Sequence, residues 1–129
     1  MPTYRLGVLT GDGIGPEIVE ATLRVLDAVQ QADSRLRFEW MPLPMGWEAI
    51  RETGSALPEP TVEALRKCDA WILGPHDSAS YPPAVREKLN PSGQLRRRFD
   101  LYANIRPARA YPGLPAMSPK MDLVVVREN

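Results

Sequence analysis

The sequence predicts an α/β fold in which a mostly parallel sheet carries helices on both faces. Three short apolar runs have the length and composition of strands, and they cover Tyr4–Leu9, Leu36–Met41 and Ala70–Leu73. The segments between them place apolar residues at helical spacing, and glycines and prolines mark the boundaries. Strands that alternate with helices in this way form parallel sheets. The chain has 129 residues, which is the length of about one domain.

The first strand leads into a glycine-rich segment, Thr10–Glu17, with the sequence TGDGIGPE. Three glycines in five positions permit positive φ and a close approach of the backbone to a ligand. Pro16 suits the first turn of a helix, and Glu17 suits the positive end of the helix dipole. Apolar residues then continue at helical spacing to about Gln31, at Ile18, Val19, Leu23, Val25, Leu26 and Val29.

The middle of the chain alternates helices and strands again. Two short helices are predicted over Gly46–Thr53, closed by Gly54, and over Thr61–Lys67, opened by Pro60. Ala70–Leu73 is predicted to be a buried strand that ends at Gly74. Ligands of parallel sheets bind beyond the carboxyl ends of the strands. The loops that begin at Gly11 and Gly74 leave such ends, so we expect ligand binding there.

The second half of the chain contains a long loop-rich insert before its last two strands. The predicted segments are the insert over Pro75–Gly93 with a short helix at Ala84–Leu89, a helix end at Leu95–Phe99, a strand at Leu101–Ile105 stopped by Pro107, an extended connector over Pro107–Pro119 and a buried strand at Leu123–Val126. A loop as long as the insert is usually functional or disordered.

Composition and charge exclude several classes of protein. Sixteen Lys and Arg residues balance sixteen Asp and Glu residues, so no net charge draws the whole chain to nucleic acid or to a membrane surface. No apolar run approaches the ~20 residues that span a bilayer, and the first residues do not resemble a signal peptide. The single cysteine, Cys68, cannot form an internal disulfide. We therefore expect a cytoplasmic protein with no membrane or nucleic-acid partner.

Common nucleotide and metal motifs do not match this sequence. The dinucleotide fingerprint G-x-G-x-x-G needs glycine at its sixth position, where this chain has Pro16. No Gly-Lys-Ser/Thr follows the glycines, which excludes a P-loop. His76 is the only histidine, and a lone histidine in a polar loop is more often a hydrogen-bonded residue than a base or ligand. We predict no metal site and no catalytic acid or base within the chain.

Arginines are concentrated in one segment, Leu95–Arg109, with the sequence LRRRFDLYANIRPAR. Arg96 precedes a predicted helix-to-strand junction, and Arg106 lies at the far end of the predicted strand. Guanidiniums from two elements can converge on one anion, and the planar guanidinium pairs both oxygens of a carboxylate. On this segment alone, a solvated basic face with surface ion pairs is the more frequent case.

Three segments in this order resemble the β-decarboxylating dehydrogenases, and they read GDGIGPEI, LRRRFDLYANIRPAR and DLVVVREN. This family includes the isocitrate, 3-isopropylmalate, homoisocitrate and tartrate/malate dehydrogenases. The resemblance implies an isopropylmalate dehydrogenase-like α/β fold rather than a Rossmann fold, and a homodimer. It also implies an N-terminal portion of such an enzyme, in which residues 1–100 belong to the large domain and residues 101–129 begin the second, smaller domain.

The resemblance further implies a reaction. The family oxidises a 2-hydroxy acid that carries a 3-carboxylate, uses NAD or NADP, and then releases carbon dioxide. A Mg²⁺ or Mn²⁺ ion polarises the hydroxyl as a Lewis acid. The family's metal-binding aspartates, catalytic lysine and catalytic tyrosine fall after position 129.

The resemblance assigns roles to seven residues of this chain. Family arginines at the positions of Arg96, Arg106 and Arg127 bind the carboxylates of the small hydroxy-acid substrate. Ser78 matches a position beside the substrate and the nicotinamide, and Gly13, Ile14 and Pro75 are expected beside the cofactor.

The family reads the variable group of the substrate with the segment that corresponds to Tyr81–Gln94. Homoisocitrate enzymes have an arginine three residues before the position of Arg96, and this chain has Gly93 there. An isopropylmalate or small malate-type substrate is therefore expected, with homoisocitrate or isocitrate as the alternative. A different class of function also stays open at this point, namely a non-catalytic regulatory module or a module that binds anions or nucleic acid.

Overall fold

The computed structural model describes residues 2–86 and 89–128, and its chain forms two compact units that divide between Gly93 and Gln94. In chain order the elements are β1 (Thr3–Leu9), α1 (Gly15–Ala32), β2 (Arg37–Pro42), α2 (Trp47–Thr53), α3 (Glu59–Leu65), β3 (Ala70–Leu73), α4 (Pro83–Arg86), α5 (Pro91–Arg98), β4 (Ala103–Arg109) and β5 (Asp122–Glu128). None of the helices in these ranges has the length and apolar character needed to cross a bilayer.

The first unit is built on a three-stranded parallel sheet with β1 in the centre, in the order β2-β1-β3. Thr3 to Val8 pair with Arg37 to Pro42 on one side, and Leu6 to Leu9 pair with Ala70 to Leu73 on the other. The chain moves from β1 to one neighbour and then back across β1 to the other. Because parallel crossovers are right-handed, this reversal places α1 on one face and α2 and α3 on the opposite face. The predicted α/β class is confirmed.

The core of the first unit gathers around the carboxyl half of β1, where Val8 and Leu9 are almost fully buried. The other buried apolar side chains of this unit include Val19, Met45, Ala49, Leu57, Val62, Leu65 and Tyr81. A Cβ added at Gly7 would lie 2.6 Å from a methyl group of Leu65, so α3 sits tightly on that face of β1. The core is therefore centred on the carboxyl half of β1, next to the glycine loop.

One expectation about burial in this unit was wrong, and the apolar side of α1 is largely uncovered. Ala70–Leu73 has the predicted bounds but is an edge strand, and both of its end residues are exposed. On α1 only Gly15 and Val19 are buried, whereas Ile18, Val25 and Val29 are exposed. Helical spacing identifies an apolar stripe, but burial also requires a neighbouring element. Within the described ranges, no element covers this stripe.

The second unit contains an antiparallel ribbon in which β4 pairs with β5 from Ala103↔Glu128 to Arg109↔Asp122. The predicted stop of the strand at Pro107 was wrong, since β4 continues to Arg109. A two-stranded ribbon has only edge strands, so a proline can direct its missing N–H outward. The predicted burial of Leu123–Val126 was also wrong, because every residue of β5 is exposed.

Helix α5 begins inside the segment that was predicted to be a loop up to Gly93. Asn90 caps it, because its Oδ1 accepts a hydrogen bond from the Gly93 N–H (2.8 Å), and Pro91 occupies the first turn. The predicted helix at Ala84–Leu89 corresponds to α4, and its residues 87 and 88 lie outside the described ranges.

Candidate functional site

The glycine loop that follows β1 lies against the loop that follows β3. The Gly74 N–H donates to the Leu9 carbonyl oxygen (2.8 Å), and the Asp12 N–H donates to the Pro75 carbonyl oxygen (2.7 Å). Both loops leave carboxyl ends of neighbouring parallel strands, which is where α/β sheets bind their ligands. Gly13, Ile14, Pro75 and Ser78, the residues expected beside the cofactor, all lie in these two loops.

The glycines of these loops have two different roles. A Cβ at Gly11 would overlap the Pro75 carbonyl oxygen, and a Cβ at Gly15 or Gly74 would overlap that of Thr10. These three glycines therefore permit the close approach of backbone to backbone within the protein. Gly13 differs, since it has φ of +58° and open space around its added Cβ. Gly13 and the adjacent Ile14, which is 59% exposed, form the part of the loop that is open to a ligand.

Asp12 ties the two loops to α2. Its Oδ1 accepts a hydrogen bond from the Trp47 N–H (2.7 Å). Its Oδ2 accepts one from the Asp77 N–H (2.9 Å) and one from the Tyr81 hydroxyl. The carboxylate is buried, and a Cβ at Gly46 would overlap it, so the glycine before α2 makes room for the acid.

The two aromatic residues that donate hydrogen bonds to this carboxylate also contact each other. Trp47 and Tyr81 meet edge to face, with ring centroids 5.5 Å apart and an interplanar angle of 90°. Burial raises the pKa of the Tyr81 hydroxyl, and the hydrogen bond to Asp12 raises it further, so Tyr81 stays a neutral donor. The Trp47 indole Nε1–H donates to Ser80 Oγ (3.0 Å). We call Asp12, Trp47, Asp77, Ser80 and Tyr81 the Asp12 cluster.

Ser78 lies in a tight turn whose ends belong to the Asp12 cluster. The Ser80 N–H and the Ser80 hydroxyl both donate to the Asp77 carbonyl oxygen, each at 3.0 Å. Ser78 is the second residue of this turn and is half-buried. His76, just before the turn, has its Nε2 3.1 Å from Ser92 Oγ, so it is hydrogen-bonded to the first turn of α5.

In the second unit, Arg106 and Arg127 lie on one face of the ribbon. Arg127 is directly opposite Asn104, and residues that face each other across an antiparallel pair point to the same side. Arg106 is two residues after Asn104, so it shares that face. The Arg106 Nε–H donates to Asn104 Oδ1 (3.0 Å). The ribbon therefore brings together two of the three arginines expected to bind carboxylates.

The remaining arginines of this region have other surroundings. Arg96, the third expected ligand, is half-buried in the last turn of α5, where Arg97 and Arg98 are exposed. Arg109 lies on the other face of the ribbon, and its Nε is 3.7 Å from Asp122 Oδ2 in an exposed ion pair. The interpretation as surface ion pairs thus applies to Arg109.

Sequence reasoning did not identify Asp12, Trp47, Tyr81 or Asn104. For Asn104 the available signal was the two-residue period of the strand, which places it beside Arg106, but its position opposite Arg127 depends on a strand pairing that was not predicted. For Asp12 the signal was an acidic residue among glycines, without any indication of its partners.

The described residues contain no cluster of metal ligands. Across residues 2–86 and 89–128, no three His, Cys, Asp or Glu side chains come close enough together to hold an ion.

Comparisons with known proteins agree with the resemblance. The family model described as isocitrate/isopropylmalate dehydrogenase matches residues 5–129. The 3-isopropylmalate dehydrogenase of Methanothermobacter thermautotrophicus is 37% identical over 129 residues, which are 100% of this chain and 35% of that protein. The isocitrate/homoisocitrate dehydrogenase of Thermus thermophilus is 40% identical over 126 residues, which are 98% and 35% of the two chains.

Solved structures give the same result. The crystal structure of isocitrate dehydrogenase from Methylococcus capsulatus superposes with a TM-score of 0.81 at 30% identity, and the match covers 98% of this chain and 34% of that one. The chain thus spans about a third of the length of the relatives it matches.

Proposed function

Since the chain belongs to the isocitrate/isopropylmalate dehydrogenase family, we propose that the full-length protein oxidises and decarboxylates a 2-hydroxy acid that carries a 3-carboxylate. The reaction would transfer a hydride from C2 to a nicotinamide, release the hydroxyl proton, and break the bond between C3 and its carboxylate to give carbon dioxide. The electron pair left at C3 would take up a proton, which gives a 2-oxo acid. An isopropylmalate or small malate-type acid is the proposed substrate, and NAD the proposed hydride acceptor, with NADP as the variant.

The observation that carries this proposal is the shared face of Arg106 and Arg127. Two guanidiniums on one face of a ribbon suit a dianion, because each planar fork can pair with one carboxylate. Asn104 holds the Nε–H of Arg106, which leaves the terminal N–H groups of that guanidinium for a ligand. We propose that Arg96, from the end of α5, also binds a substrate carboxylate.

The glycine loop fits the proposed cofactor. Gly13 has no side chain and no neighbour within 4 Å of an added Cβ, so a dinucleotide can approach the backbone there. Ile14 and Pro75 are exposed beside it, and Ser78 would supply a hydroxyl near the nicotinamide. The bound nicotinamide would supply the hydride acceptor, while these residues would orient it.

Other parts of the proposal follow from the family alone. A Mg²⁺ or Mn²⁺ ion is included in it, although the described residues provide no ligand set for one. We also propose a homodimer in the cytoplasm that binds neither nucleic acid nor membrane.

The test is a substrate panel on the purified full-length protein. D-malate, 3-isopropylmalate, isocitrate and homoisocitrate would each be assayed with NAD and with NADP, and both reduced cofactor and carbon dioxide would be measured. We expect equal amounts of the two products, with 3-isopropylmalate or D-malate giving the highest kcat/KM. An absence of reduced cofactor with all four acids would contradict the proposal.

A further inference from the structure

We propose that Asp12 and Trp47 are positioning residues for Ser78, because they hold the two ends of the turn in which Ser78 lies. This inference deepens the proposed function and rests on it for the role of Ser78. It assigns a role in cofactor binding to one residue of the glycine loop and to one residue at the start of α2.

Asp12 holds the first end of the turn. The Asp77 N–H donates to Asp12 Oδ2 at 2.9 Å, and the same oxygen accepts the Tyr81 hydroxyl beyond the other end of the turn. Hydrogen bonds to an ionised acceptor are about twice as strong as neutral ones. Because the carboxylate is buried, water competes weakly for these donors.

Trp47 holds the second end. Its indole Nε1–H donates to Ser80 Oγ at 3.0 Å, and its backbone N–H donates to Asp12 at 2.7 Å. One residue of α2 thus reaches both the carboxylate and the far end of the turn. The ring of Trp47 also packs edge to face on Tyr81, which limits rotation of the indole.

The chemistry of the acid explains why asparagine would not serve at position 12. Two of the three donors are backbone N–H groups, one on each carboxylate oxygen. An asparagine has one acceptor oxygen, and its NH₂ group would face one of these N–H donors. Either the Asp77 N–H at the first end of the turn or the backbone N–H of Trp47, whose indole holds the second end, would then lose its acceptor. Displacements of about 1 Å in positioned groups can lower rates on the order of a hundredfold.

A purely structural role is the competing explanation, and coupling to Ser78 separates the two. If Asp12 and Trp47 act through Ser78, loss of the Ser78 hydroxyl removes part of what they provide. If they only stabilise the fold, the effects of the substitutions multiply. Residues in contact or in one network typically show coupling, whereas distant independent ones do not.

The experiment is a double-mutant cycle in the full-length protein. kcat/KM for the best hydroxy acid and KM for NAD would be measured for Ser78→Ala, Trp47→Phe, Asp12→Asn and the two doubles with Ser78→Ala. We expect each single change to lower kcat/KM. The fold-loss in each double variant should be smaller, by about twofold or more, than the product of the two single fold-losses. Doubles that equal the product would overturn the inference.

A matched control comes from Gln30, which joins α1 to β2. Its side chain accepts the Phe38 N–H (3.1 Å) and donates to Asp27 (2.9 Å), and it lies outside the Asp12 cluster. Gln30→Ala removes two hydrogen bonds, so it lowers stability without touching the turn. Its double with Ser78→Ala should equal the product, and coupling there would show that the cycle reports stability alone and would overturn the inference.

A second measurement needs no turnover. Hydrogen exchange of residues 77–81 should be faster in both variants, Trp47→Phe and Asp12→Asn, than in the unmodified protein. Asp12→Asn weakens the anchor of the Asp77 N–H, and Trp47→Phe removes the indole donor to Ser80 Oγ. Unchanged exchange in Trp47→Phe, which keeps an aromatic ring, would overturn the inference even if Asp12→Asn does not fold. Absence of activity in the unmodified protein would contradict the proposed function, while the exchange result would still decide whether the turn is held in this way.

Discussion

Some glycines of the glycine loop serve packing within the protein, and another is open to a ligand. Gly11 lets the glycine loop approach the loop after β3, Gly15 lets the glycine loop fold back on Thr10, and Gly13 is the glycine that stays open. Asp12, between them, gathers donors from two other segments. The glycine loop therefore connects segments of the protein as well as offering an open backbone to a ligand.

The arginines give the first prediction at this scale. Arg106→Ala and Arg127→Ala should each lower kcat/KM of the full-length protein at least about tenfold, because a charged hydrogen bond contributes about 1.5–3 kcal/mol. Arg109→Ala is the matched control, since its exposed ion pair on the other face of the ribbon contributes little. A larger loss in Arg109→Ala than in Arg106→Ala would contradict the proposal that the face with Arg106 binds the substrate.

Gly93 gives a prediction about selectivity. A glycine offers no charge to the variable group of the substrate, so a distal carboxylate would be desolvated there without a partner. Gly93→Arg should shift kcat/KM toward homoisocitrate relative to D-malate. Gly93 lies in α5, outside the positive-φ region, so no backbone strain opposes the change.

The obstacle to this substitution is the Leu89 side chain, which lies 2.8 Å from an added Cβ and is 40% exposed. Gly93→Arg should therefore be compared with Leu89→Ala alone and with the double variant. If the unmodified protein already prefers homoisocitrate by about tenfold or more, Gly93 does not select the substrate. Lys88, which lies outside the described residues, is then the first candidate for the missing charge.

Tyr81 gives a prediction about pH. Its pKa is raised by burial and by Asp12, so the folded state favours the neutral phenol. The stability that this provides is fully present below the ordinary tyrosine pKa of about 10 and is lost as the pH rises above it. The free energy of unfolding in urea should be compared between the unmodified protein and Tyr81→Phe. The difference that the Tyr81 hydroxyl contributes should decrease above about pH 10. Tyr111→Phe, on an exposed side chain, is the matched control; a difference independent of pH would contradict the prediction.

At the scale of elements, α5 has defined stops at both ends. Asn90 caps its start, and a Schellman arrangement ends it. In this arrangement the Leu101 N–H donates to the Arg96 carbonyl oxygen (3.0 Å), and the Asp100 N–H donates to the Arg97 carbonyl oxygen (3.3 Å). Asp100 has φ of +48°, which is the left-handed conformation of this motif. These two bonds satisfy carbonyl groups of the last helical turn, which carries Arg96.

This geometry gives a prediction about stability. Asp100→Val should lower the free energy of unfolding by about 1–3 kcal/mol, because a β-branched residue is strained in the left-handed region. Asp100→Gly should lower it little or raise it, since glycine adopts this conformation readily. Chemical denaturation of the full-length variants measures both values. Equal losses in the two variants would indicate that the Asp100 side chain, rather than its backbone, matters.

At the scale of the whole molecule, apolar side chains face outward in both units. On α1 these are Ile18, Val25 and Val29, and along β5 they are Leu123 to Val126. Contiguous exposed apolar surface marks places where other surfaces bind. The chain also covers only about a third of the length of its relatives.

The corresponding prediction concerns the 129-residue polypeptide by itself. It should show no reduction of NAD or NADP with any of the four acids and Mg²⁺, because its described residues hold no metal-ligand set. Metal-dependent formation of NADH by this polypeptide, above that of the Arg106→Ala form, would contradict the prediction.

The sequence by itself determined the local structure and the family. Strand and helix periods, the positions of glycine and proline, and the arginine segment are properties of neighbouring residues, so β1, α1, α2 and β3 could be predicted within one or two residues. The family segments indicated which residues to examine. Local periodicity could also suggest an apolar stripe, but it could not say whether any element covers it.

Only the tertiary structure decided which side chains meet. The partners of Asp12 lie 35, 65 and 69 residues away in sequence, and no local pattern specifies such contacts. The shared face of Arg106 and Arg127 depends on the register of β4 with β5, and a shift of one residue would place them on opposite faces. Exposure of β5 was likewise decided by the absence of a covering layer among the described residues, because burial is a property of neighbours in space and not of the apolar run itself.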